Sequence, residues 1–79
     1  MTTDPADLAE AITLADTIET EAHFDAAIPR VEVMSGECIS VFIWRLLKRR
    51  TPLMARPGPA AFIRKHRVAI AKHYTRGQP

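Results

Sequence analysis

One cysteine, Cys38, is all the sequence holds, so no internal disulfide can form and the thiolate set of a structural zinc site is missing. Glycine is nearly as scarce. The three glycines, at 36, 58 and 77, stand beside breaks, and none belongs to a phosphate-cradling loop. No apolar run approaches the ~20 residues that cross a bilayer. The opening residues, Met1-Thr2-Thr3-Asp4-Pro5-Ala6-Asp7, are acidic and lack an apolar core, which argues against a signal or transit peptide. The expected location is the cytoplasm. Repeats and low-complexity tracts are absent as well.

The most informative absence is that of acid after Glu37. Nine Asp and Glu against Arg30 alone give residues 1–37 a formal charge of −8. Ten Lys and Arg with no acid give residues 38–79 a charge of +10, so the net +2 hides a strongly divided chain. At 79 residues and 47% hydrophobic, the chain has the make-up of one small globular domain. A core of that size supplies roughly 3–5 kcal/mol of net stability, so a homo-oligomer or a partner would help it.

In chain order, Asp4 is placed to cap a helix, Pro5 suits its first position, and Asp7 and Glu10 complement the positive end of its dipole. Leu8, Ala11, Ile12, Ala15, Ile18 and Ala22 recur at helical spacing, which predicts an acidic helix over 5–26, stopped by Pro29 near Ala27. Val31 and Val33 alternate with charge ahead of a Ser35-Gly36 turn, so a hairpin pairing 30–34 with 38–44 is the competing pattern. Ile39, Phe42, Ile43, Leu46 and Leu47 favour a helix over 36–50, with Ser35 as its cap. Pro52, Pro57, Gly58 and Pro59 break the chain over 51–59, where Leu53 and Met54 anchor the loop to the core. A last, basic helix over 59–75 carries Phe62, Ile63, His66, Ala69, Ile70 and His73 on one stripe, flanked by Tyr74. The fold class expected is all-α, a small three-helix bundle, with α+β and a short hairpin near Gly36 as the alternative.

Catalysis is poorly served. His66 and His73 lie two turns apart, about 10 Å along a helix axis, where metal-binding histidines sit three or four positions apart. No metal and no cofactor are expected. Cys38 has no base or oxyanion site in its local sequence and reads as a small buried residue. The early carboxylates lie along a solvated helix face without a cleft to split their pKa values. The protein is expected not to be an enzyme.

Binding is better served. Val41, Trp44 and Lys48 follow one another along the far side of the central helix, flanked by Arg45 and Arg49. Such a Trp either fills a second core layer beneath basic stems or stands among cations as a hot spot or stacking platform. Trp44, Arg45, Lys48, Arg49, Arg50, Arg64, Lys65, Arg67, Lys72 and Arg76 are the candidate contacts for a partner or for nucleic acid; Arg56 adds to the same basic cluster. The alternative contact face is acidic, Asp7, Glu10, Asp16, Glu19 and Glu21, whose carboxylates would imitate phosphates. Against both stands internal neutralisation of one half by the other. The Pro-rich break does not resemble a helix-turn-helix turn, which disfavours base-specific DNA reading.

The expectation is a non-enzymatic interaction protein that docks on a nucleic-acid-handling protein or nucleoprotein complex and regulates or inhibits it. The alternative is a direct nucleic-acid binder of low sequence specificity. In size, lack of motifs and charge polarity the chain is similar to small inhibitors encoded by phages and mobile elements, anti-CRISPR proteins among them. That likeness is one of class and rests on no matching motif.

Overall fold

The computed structural model describes residues 4–74, and those residues are helical throughout their regular structure, with no strand among them. Helix α1 spans Pro5–Thr17 and α2 spans Glu21–Val31. Helix α3 spans Gly36–Lys48, a 3-10 turn covers Pro52–Ala55, and α4 (Pro57–Lys65) and α5 (Arg67–Tyr74) complete the order. Short polar side chains open most of these elements by accepting orphaned amide protons. Asp4 Oδ1 accepts from the Ala6 amide at 2.8 Å, Thr20 Oγ1 from His23 at 3.2 Å, Ser35 Oγ from Cys38 at 3.3 Å and Thr51 Oγ1 from Leu53 at 3.3 Å. Helix α4 has no side-chain cap and begins with Pro57, whose missing N–H leaves one donor fewer to satisfy.

The central helix is α3, which packs against α1 on one side and α5 on the other, while α2 packs against α4. Burial on two sides explains why Cys38, Ile39, Ser40, Phe42, Ile43 and Leu46 are all buried, more than one stripe of a helix. Phe24 of α2, Phe42 of α3 and Phe62 of α4 form the middle of the core. Their ring centroids lie 5.9, 5.8 and 6.3 Å apart, and Phe62 meets both others nearly edge-on. The one buried hydroxyl among the described residues, on Ser40, donates to the Ile70 carbonyl at 3.4 Å and ties α3 to α5. Cys38 is free and fully buried, in keeping with its small apolar reading.

The all-helical class stands, but the helix count and bounds do not. The predicted helix 5–26 is two helices, because the chain turns at Ile18 and Thr20 restarts it. Thr17 Oγ1 donates back to the Leu14 carbonyl at 3.0 Å, and His23 Nδ1 accepts from the Glu19 amide at 3.1 Å. Thr20 thus caps the α2 start, while the His23 ring accepts from the amide of Glu19, one residue before the cap. Pro29 does not end the helix near Ala27. Helix α2 runs through it to Val31, which is fully buried, while the proline ring stays exposed. The hairpin alternative fails: 30–44 contains the end of α2, a turn and most of α3.

The last predicted helix starts two residues early, at Pro57, and is interrupted at His66, whose φ of −107° and ψ of 20° close α4. The predicted residues 75 and beyond, Arg76 and Gly77 among them, lie outside the described residues. Leu47, placed on the buried stripe by its spacing, is 36% exposed, and Ala22 is also exposed. Arg50 takes a left-handed conformation, φ 53°, where helices more often place glycine. Its amide donates to the Leu47 carbonyl at 3.1 Å and closes α3.

Two outcomes follow. Phe42→Ala removes the ring that touches both other aromatics and should cost about 3–5 kcal/mol, comparable with the whole stability of so small a domain. The purified variant should show no cooperative thermal transition by circular dichroism. Arg50→Gly should leave stability unchanged or raise it by up to about 1 kcal/mol, because glycine adopts the left-handed region without Cβ strain. A loss of more than that in urea denaturation would show that the Arg50 side chain contributes more than its backbone costs.

Candidate interaction surface

The tertiary structure lays the acidic first half of the chain along the basic second half. Arg45 Nη2 meets Asp16 Oδ2 at 2.8 Å and its Nε meets Oδ1 at 3.1 Å, a two-pronged contact between α3 and α1. Arg49 Nη2 meets Glu19 at 3.1 Å, Arg56 Nε meets Glu21 at 3.3 Å, and Lys65 Nζ meets Glu32 at 2.9 Å. Within the acidic half, Arg30 bridges Asp7 at 2.8 Å and Glu10 at 2.7 Å, pinning the end of α2 to the start of α1. Together with the burial of Val31, that pinning favours the continuation of α2 past Pro29. Asp7, Glu10, Asp16, Glu19 and Glu21, the whole nominated acidic face, are each engaged by an arginine of the same molecule.

Arg49 does more than pair. Its Nη1 donates to the Ala15 carbonyl at 2.6 Å and the Ile18 carbonyl at 2.7 Å. These are carbonyls left over where α1 ends, so a side chain from the far end of α3 caps the α1 terminus. Sequence reading placed Arg49 on a binding face; here it holds α1, α3 and the α1–α2 corner together.

The remaining nominated cations divide. Lys48, Arg50, Arg64 and Arg67 are exposed and have no ion pair among the described residues. Lys72 is exposed on α5, and Arg76 lies outside the described residues. Trp44 is half-buried and packs against the core edge. With Val41, Arg45 and Lys48 it lines a hollow of roughly 160 Å³ on the outer side of α3. Trp44, Arg45 and Lys48 are therefore brought together, whereas Arg49 turns inward and Lys65 turns to Glu32.

Arg30, Glu32 and Arg56 were not singled out as a group from the sequence, although they anchor this charge pattern. A signal was present for Arg30, the lone base among the first nine acids. Glu32 accepts from Lys65 and also lies 3.2 Å from His66 Nε2. His66 in turn stacks on Phe62 with ring centroids 4.5 Å apart. No group of three or more His, Cys, Asp or Glu among the described residues is arranged to hold a metal ion. No described helix is long and apolar enough to cross a membrane.

The hydrogen bond from Arg45, and then its charge, hold the Asp16 carboxyl below its ordinary value. Lys65 first, and His66 second, do the same for Glu32. Asp16 in turn raises Arg45, and Glu10 followed by Asp7 raise Arg30, above the ordinary arginine value. A carboxyl whose folded pKa is depressed contributes stability above its unfolded value and loses it as the pH falls through the folded one. No family model, curated protein or solved structure matches the chain.

The melting temperature should accordingly hold above about pH 5 and fall progressively below about pH 4, where unfolded carboxyls titrate. Asp16→Asn with Glu32→Gln should flatten that acid limb, and an unchanged limb would assign it to other groups. Arg49→Lys should destabilise by about 1.5–3 kcal/mol, since an ammonium cannot reproduce the fork across two carbonyls and Glu19. Chemical denaturation measures this directly; a change below about 0.5 kcal/mol, the size of an ordinary surface substitution, would remove Arg49 from its capping role.

Proposed function

We propose that this chain is a non-enzymatic interaction protein that docks on a nucleic-acid-handling protein complex through the outer face of α3, and regulates or inhibits that complex. The observation that carries the reading is the hollow formed by Val41, Trp44, Arg45 and Lys48. An aromatic ring seated at the core edge is already ordered, so little side-chain entropy is lost when a partner covers it. Trp and Arg are also the residues most often found at the energetic centre of protein interfaces. Lys48 in the lining supplies positive charge, which suits a partner with an acidic surface of the kind that mimics or neighbours nucleic acid.

The second reading is direct nucleic-acid binding, favoured by the exposed Lys48, Arg50, Arg64 and Arg67 without ion pairs among the described residues. Its weakness is quantitative. The pairing of Arg45, Arg49, Arg56 and Lys65 with acids of the same chain removes much of the basic cluster from use. Were those four remaining cations all to contact phosphates, the logarithm of affinity would fall against the logarithm of salt with a slope of about −3.6.

Fluorescence anisotropy with short single- and double-stranded DNA and RNA across a salt series separates the readings. Docking on protein predicts no saturable binding to free nucleic acid at physiological salt. It also predicts capture of a nucleic-acid-handling complex by the wild-type chain and its loss with Lys48→Glu. Saturable binding with a slope near −3.6 that Arg64→Glu weakens and Trp44→Phe spares would favour the second reading.

A further inference from the structure

We propose a second binding site, distinct from the α3 face: a cationic groove between α5 and the start of α3 that takes a phosphate group carried by a small ligand. The groove is open to solvent, offers roughly 510 Å³ and is lined by Gly36, Lys65, His66, Val68, Ala69, Lys72 and His73. That volume is in the range of small-ligand sites. All of its polar side chains are cationic or can become so.

Their spacing puts His66 and His73 on one side of the chain two turns apart, and both side chains line the groove. The part the sequence could not show is the facing wall. Gly36 completes the other wall. A Cβ there would meet the Ala69 Cβ at 3.3 Å and His73 Nε2 at 3.5 Å, so the missing side chain is what lets α5 and the His73 ring lie against α3. Lys65 spends one of its three ammonium protons on Glu32 at 2.9 Å, and its side chain remains 67% exposed. Val68, 78% exposed, and Ala69 add an apolar rim, which suits the organic part of a phosphorylated molecule better than a bare ion.

The groove holds Lys65 and Lys72 against the Glu32 carboxylate, with the His66 and His73 rings beside them. The other charged groups on the packed elements are Glu37 in the first turn of α3 and the exposed Arg64 and Arg67 beside the α4–α5 break.

The test is a two-dimensional amide NMR titration of the full chain with inorganic phosphate and with adenosine monophosphate. Sodium chloride at matched ionic strength serves as the control. Saturable shifts at Gly36 and over residues 65–73, absent with chloride, are expected. Tighter binding of the monophosphate nucleotide than of its phosphate content alone would support use of the apolar rim. The Lys72→Gln, His73→Gln variant should keep the wild-type spectrum elsewhere and lose at least about tenfold in affinity, as removal of a charge-assisted contact implies. Shifts equal to those with chloride, shifts centred on Lys48 and Arg50, or full affinity in the double variant would overturn the assignment. Lys48→Glu, which disables the proposed α3 face, should leave phosphate binding intact, so the two readings can fail separately.

Discussion

The end of α1 leaves carbonyl groups that need donors, and the guanidinium of Arg49 supplies them. Two of its hydrogen bonds go to the Ala15 and Ile18 carbonyls at 2.6 and 2.7 Å, and a third goes to Glu19. This contact fixes where α1 stops. The chain can then turn and send α2 across α1, where Arg30 locks it to Asp7 and Glu10. Once α2 is placed, Phe24 reaches Phe42 and Phe62, and α4 can lie along α2. An orphaned helix end is costly in a protein this small, because one or two kcal/mol is a large share of its total stability.

The same geometry decides which charges face outward. A polarised sequence with acids first and bases last has a strong electrostatic reason to fold back on itself, and here it does so at Asp16–Arg45, Glu19–Arg49, Glu21–Arg56 and Glu32–Lys65. Exposed pairs of this kind contribute little individually. Their larger effect is on the surface they leave behind. Lys48, Arg50, Arg64 and Arg67 are what remains for a partner, together with the Trp44 hollow and the histidine-lined groove. The broad basic face suggested by composition is thus narrowed to two local patches of different chemistry, one aromatic and cationic, the other imidazole-rich.

Much of the architecture was legible in the residues. The caps at Asp4 and Ser35 work as their positions imply, and the Leu46 side of α3 is buried as its period demands. The break after Thr17 was less visible, because the apolar stripe of Leu8, Ala11, Ala15 and Ile18 runs straight through it. Its marker was local: Thr20, with Glu21 in the first turn, is a helix start that the longer period masked. Pro29 misled in the opposite direction. Its steric cost is real, yet the burial of Val31 and the Arg30 contacts on α1 outweigh it, and neither can be counted before the partners of α2 are known.

Sequence alone determined the helical class, the caps, the apolar period of α3 and the separation of charge, because each of these rests on residues within a few turns of one another. Tertiary structure decided which cations are consumed and which stay exposed, because an ion pair depends on which helix ends meet, and those meetings join positions such as 16 with 45 and 32 with 65. It also decided that His66 and His73 face Gly36 across one groove, because that depends on how α5 lies on α3.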